Sequence, residues 1–130
     1  MAGAAVEASL AFETSGIMFE QASDEQLFFC RFTQITVLRL LTTEKVMGTD
    51  TQSVLQAWNV WDRVWADDRV KFLPEPDDLE REFRPRSRLH SLSPKVWADA
   101  CLLAFAAVAG LQLVTFDRAI RARGVSLLQL

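Results

Sequence analysis

The stretch from Trp97 to Phe116 limits the possible folds more than any other part of this chain. Trp97 to Ala109 reads as a helix that is apolar nearly all round, and a helix without a polar face has to be covered on every side. Ser93-Pro94 places a capping residue before a proline at the first helical position. Gly110 stands where such a helix needs a left-handed residue to end it. Leu111 to Phe116 then reads as a short apolar strand. A buried helix that turns straight into a strand calls for a sheet to lie against.

The rest of the chain supplies one. Leu27-Phe28-Phe29-Cys30, behind the polar Ser23-Asp24-Glu25-Gln26, predicts a buried strand. Thr33 to Leu41 carries Ile35, Val37, Leu38, Leu40 and Leu41 and suits a helix packed on that strand. Thr49-Asp50-Thr51 offers a helix start, and Val54, Leu55, Trp58, Trp61 and Trp65 follow at helical spacings, giving an amphipathic helix. Arg69 to Leu73 is a further short strand, stopped by Pro74-Glu75-Pro76. Asp77 or Asp78 caps a short helix that Pro85 terminates. A short basic helix spans Arg118 to Arg123, and Val125 to Leu128 forms an edge strand. Met1 to Gly16 is compatible with a frayed helix or a loose tail. Helices alternating with short apolar strands predict an α/β sandwich with a mostly parallel sheet.

Composition narrows the function. With 130 residues there is room for one core, and a chain 50% hydrophobic and 24% charged is neither disordered nor collagen-like nor a disulfide-stapled miniprotein. No apolar run is long enough to span a bilayer and no secretory signal opens the chain, which predicts a cytoplasmic protein without a membrane partner. Cys30 and Cys101 sit in apolar stretches and are expected as buried free thiols. A net charge of −3 argues against holding nucleic acid by bulk positive charge, while leaving open a local site with its own cations. Two distant cysteines and one histidine do not make a zinc site.

Between Lys95 and Asp117 the single charged residue is Asp99. It falls in the second turn of its helix, too deep to cap it, and a carboxylate on an otherwise apolar helix is expensive to bury unpaired. From Asp99 to Gly110 the helix rises roughly 16 Å, and from Gln112 to Asp117 a strand covers roughly 16 Å. If the turn at Gly110 is tight, Asp117 returns to the level of Asp99, at the carboxyl end of its strand, where open α/β sheets place ligands. Two carboxylates brought together need a proton or a divalent cation between them, and all-oxygen ligation suits Mg²⁺ or Mn²⁺. The alternative is an Asp99 at the sheet's rim, solvated or bridged to an arginine. Arg81, Arg84, Arg86, Arg88 and Lys95, with Arg118, Arg121 and Arg123, are either solvated surface or a phosphate-steering field. The tryptophans at 58, 61 and 65 read as core or interface, and His90 as incidental.

The segment Val96-Trp97-Ala98-Asp99-Ala100-Cys101-Leu102-Leu103-Ala104-Phe105-Ala106, followed by Leu113-Val114-Thr115-Phe116-Asp117-Arg118, resembles the C-terminal half of PIN-domain proteins, and most of all VapC-type toxins of bacterial toxin–antitoxin pairs. Phe29-Cys30-Arg31-Phe32-Thr33-Gln34 with Leu38-Arg39-Leu40-Leu41-Thr42 is similar to that family's second strand and following helix, and Val70-Lys71-Phe72-Leu73-Pro74-Glu75-Pro76 to its middle strand. The likeness covers a PIN-like domain at 19–130, behind an atypical N-terminal segment at 1–18.

The resemblance implies a three-layer α/β/α PIN-like sandwich whose N-terminal strand is atypical or missing. It implies a Mg²⁺- or Mn²⁺-dependent endoribonuclease acting on RNA, a cognate antitoxin partner and a homodimer. Asp99 and Asp117 match the family's two C-terminal acids, as metal ligands and catalytic residues, and Thr115 matches a hydroxyl residue near the metal. Gln34 stands near the second acidic position. The first acid has no counterpart: the register puts Gly3 near it, with Glu7 and Glu13 as the nearest carboxylates, so either the true start is lacking or the copy is degraded. The expected function is a ribonuclease, intact or crippled by that loss. The alternatives are a non-catalytic antitoxin-binding or dimerising module, and an unrelated α/β binding protein whose aspartates only form ion pairs.

Overall fold

The computed structural model describes residues 16–21, 26–90 and 92–115, and the backbone of one further strand at 127–129. The chain is α/β. In order, the elements are β1 (Met18–Gln21), β2 (Gln26–Phe29), α1 (Arg31–Leu41), α2 (Glu44–Met47), a 3₁₀ turn (Gly48–Asp50), α3 (Val54–Trp65), β3 (Val70–Phe72), α4 (Leu79–Ser87), α5 (Lys95–Ala109), β4 (Gln112–Thr115) and β5 (Leu127–Gln129). No described helix is long and apolar enough to cross a membrane.

The strands form one sheet in the order β3-β2-β1-β4-β5. β2 pairs parallel with β3 and β4 parallel with β5, but β1 is antiparallel to both its neighbours, with Phe19 opposite Phe28 on one side and Leu113 on the other. The sheet is therefore mixed, which corrects the expectation of a mostly parallel one. The cause is local: only residues 22–25 separate β1 from β2, a link long enough for a hairpin and far too short for a parallel crossover. β1 itself went unread in the sequence.

Strand alternation divides the apolar side chains into two clusters. Phe19, Phe28, Cys30 and Leu113 pack with Leu79 of α4 and with Leu102, Leu103, Ala104, Phe105 and Ala106 of α5. Phe29 and Val70 pack with Trp61 of α3, with Met18, Leu27, Phe72, Val37, Leu38 and Val64 around them. Neighbouring residues such as Phe28 and Phe29 thus face different clusters, as the two-residue period of a strand requires. Cys30 and Cys101 are free thiols, buried and half-buried, as the apolar setting of each predicts.

Several helix ends differ from expectation: α1 starts at Arg31 and not at Thr33, and α5 starts at Lys95 with Pro94, not Ser93, in the cap position. The amphipathic helix starts at Ser53 and not at 49–51: Ser53 Oγ accepts from the Gln56 N–H at 3.1 Å while Gln56 Oε1 accepts from the Ser53 N–H at 2.9 Å, a reciprocal capping box. The helix expected to stop at Pro85 runs on to Ser87. Pro85 costs one exposed hydrogen bond near the end, and the last turn is held by Ser87 Oγ donating to the Phe83 carbonyl at 2.9 Å. Asp78 takes the position before that helix without a side-chain capping bond. The 118–123 helix and the 1–15 tail lie outside the described residues.

Candidate active site around Asp99

Asp99 is placed by α5. That helix is buried along Ala100 and Leu102 to Ala106, so the packing that forms the core holds it from the residue after Asp99 onward. At the other end Gly110 adopts φ 68°, and the Gly110 and Leu111 N–H groups both donate to the Ala106 carbonyl. The turn into β4 is therefore tight, the condition on which the return of the chain toward Asp99 depends. β4 delivers Thr115 fully buried at its end. Asp117 lies outside the described residues, as do Arg118, Arg121, Arg123, Glu7, Glu13 and Gly3.

The Asp99 side chain is 23% exposed, and its Oδ2 lies 3.5 Å from Nζ of Lys95, itself 24% exposed and one turn earlier on the same helix. Its Oδ1 is buried and has no hydrogen-bond partner among the described residues. The alternative of an ion-paired Asp99 is met in part: the cation beside it is Lys95 and not an arginine, and both side chains are about three-quarters shielded. A buried carboxylate oxygen left unpaired carries a desolvation cost, and a hard divalent cation is the kind of partner that removes it. As one oxygen ligand, Asp99 fits Mg²⁺ or Mn²⁺. Among the described residues no group of three or more His, Cys, Asp or Glu side chains gathers around it or elsewhere.

Gln34 is 5% exposed, and its Oε1 accepts from Arg31 Nη1 at 2.5 Å. The Arg31 guanidinium also sits 5.0 Å above the centre of the Phe72 ring. The amide oxygen near the expected second acidic position is therefore already held by a cation. Sequence reading named Gln34 but missed Arg31, and it grouped Lys95 with the basic stretch without pairing it to Asp99. Both partners were readable from their spacing, i,i+3 and i,i+4 on a helix.

The basic stretch on α4 is largely internally compensated. Arg84 is bonded to Glu80, Arg86 Nε lies 3.6 Å from Glu82, and Arg81 lies 3.9 Å from Asp78. The Glu80 bond pushes the Arg84 guanidinium further above its ordinary pKa. Of the three tryptophans, Trp61 is core, set edge-on to Phe29 with ring centres 5.0 Å apart, whereas Trp58 and Trp65 are about half exposed. His90 is exposed in the loop before α5.

No known family profile matches the chain. Two curated proteins do: Ribonuclease VapC41 of Mycobacterium tuberculosis strain CDC 1551 / Oshkosh and the protein of the same name in strain ATCC 25618 / H37Rv. Each is 42% identical to this chain over 97 residues, which make up 72% of this chain and 66% of the relative. The chain thus spans 66% of the length of the relatives it matches. Identity at that level, running with an α/β sheet and a helix that carries a shielded aspartate, establishes kinship: the chain belongs to the VapC-type PIN-domain family.

Proposed function

We propose that this chain is a Mg²⁺- or Mn²⁺-dependent endoribonuclease, the toxin of a toxin–antitoxin pair, working in the cytoplasm as a homodimer and inhibited by a cognate antitoxin. The observation that carries the catalytic part is the shielded Asp99 carboxylate with one buried, unpartnered oxygen, in a relative of two proteins named as ribonucleases. The two apolar clusters are read as the two faces of a three-layer α/β/α sandwich spanning 19–130.

Asp99 and Asp117 would hold the metal, which would supply a Lewis acid and an activated water for hydrolysis of the RNA phosphodiester. The chain's own contribution is positional. α5 carries Asp99 at the edge of a buried, close-packed helix, the tight Gly110 turn directs β4 back along it, and Thr115 at the strand's end adds a hydroxyl inside the core. Removing one acid takes a ligand from the metal and lowers turnover without disturbing that support.

A second reading is a non-catalytic interaction module. It is favoured by one observation, the neutral Gln34 amide already bound by Arg31. Incubating the purified chain with RNA and Mn²⁺, beside its Asp99→Asn and Asp117→Asn variants, separates the two. The nuclease reading expects cleavage by the wild type and none by either variant. Cleavage that survives Asp117→Asn refutes the proposed site, and tight binding to a small antitoxin with no cleavage supports the second reading.

A further inference from the structure

We infer that Lys95 is a built-in cation of the Asp99 site, holding the carboxylate while no metal ion is bound and competing with the ion for it. The inference rests on the metal reading of Asp99 above and adds a positioning residue to it.

Three features of α5 point this way. First, Lys95 Nζ and Asp99 Oδ2 are 3.5 Å apart and both side chains are about three-quarters shielded, so their attraction is screened less than that of the exposed pairs Arg84–Glu80 and Arg81–Asp78. Second, the helix by itself does not favour a lysine there. Lys95 is the first residue of α5, whose first turn has no acidic residue; a positive charge at a helix start opposes the macrodipole, and a lysine preceding its acid by four residues is the weaker order of such a pair. The pairing with Asp99 helps to offset these two local costs. Third, the ammonium meets one carboxylate oxygen and leaves Oδ1 buried without a hydrogen-bond partner among the described residues. Lys95 therefore neutralises Asp99 without saturating it.

Without Lys95 the metal-free protein would carry the shielded Asp99 charge with no ammonium beside it. With Lys95 present that charge is compensated, and an incoming divalent ion meets a positive charge next to its ligand. The consequence is a trade: a more stable metal-free protein and a weaker metal site.

The test is Mn²⁺ titration of the full chain by calorimetry and by thermal shift, comparing wild type with Lys95→Met, Lys95→Gln and Lys95→Arg. The neutral variants are expected to bind Mn²⁺ about tenfold more tightly, the order of effect of one partly screened unit charge. Their metal-free melting temperature should fall, with the gap to wild type closing at saturating Mn²⁺. Lys95→Arg should keep the wild-type affinity, because it keeps the charge. Equal or weaker Mn²⁺ binding in both neutral variants, with wild type still binding, overturns the role of Lys95 and leaves the metal reading standing. Absence of Mn²⁺ binding in wild type and variants alike overturns both.

Discussion

Arg31 Nη1 donates to Gln34 Oε1 at 2.5 Å across one turn of α1, and the same guanidinium lies over the Phe72 ring. The ring contact ties the start of α1 to β3, the neighbour of β2 in the sheet. The hydrogen bond also satisfies the oxygen of a buried amide.

Arg31→Ala should therefore destabilise the protein by about 1–3 kcal/mol, the cost of leaving a buried acceptor unpaired. Urea denaturation of the variant checks this. A loss within error of zero would mean that water replaces the guanidinium.

Asp99→Asn should abolish stabilisation by Mn²⁺. A bound ion stabilises the native state with the logarithm of its concentration above Kd, and the amide removes the charge that holds it. Thermal shift measured from zero to millimolar Mn²⁺ should rise for wild type and stay flat for the variant.

Phe19→Ala should be among the most damaging core substitutions. Phe19 is fully buried on the central strand and stacks on Phe105 with ring centres 4.7 Å apart. Truncation of such a ring costs about 3–5 kcal/mol, read as a drop in the urea midpoint.

Gly16→Ala should also destabilise, through overpacking. A Cβ at Gly16 would lie 2.8 Å from Cδ1 of both Leu102 and Leu113. Those leucines are themselves fully buried and have little room to yield, so about 1–3 kcal/mol is expected. Leu102→Ala in the same chain should relieve part of that loss, which denaturation of the double variant would show.

Cys101 predicts a pH dependence. Burial pushes its thiol above the ordinary value of 9.0, with the charges of Cys30 and Glu75 adding to the effect. A folded-state value above the unfolded one means the native protein binds more protons at high pH, so stability is intact below about pH 9 and falls as the pH rises beyond it. Denaturation at pH 8 and pH 10 should show the fall, and Cys101→Ala should reduce it.

Much of this was legible in the residues. β2, β3 and β4 are compact apolar runs, α3 has helical spacing of its tryptophans, and α5 announces itself by being apolar nearly all round and ending at Gly110. Asp99 stood out because it is the one charged residue of that helix after Lys95. The start of α3 was misplaced because Thr49 and Ser53 both look like caps, each with a glutamine three residues on, Gln52 and Gln56, and only the Ser53–Gln56 box forms at the head of the helix. β1 was not legible at all: Met18-Phe19-Glu20-Gln21 is short and mixed, and it becomes a strand because β2 and β4 each offer it an edge.

The amino-acid order alone therefore determined the elements whose signal is periodic, together with the isolation of one acid on a buried helix, since those depend on residues within a turn or two of each other. Only the tertiary structure decided that β1 runs against its neighbours, that one oxygen of Asp99 is buried while the other faces Lys95, and that Gln34 is held by Arg31. Strand direction follows from which edges are free and how short the link is, and the burial of a single atom follows from packing by segments far away in the chain. Neither quantity is a property of any local stretch.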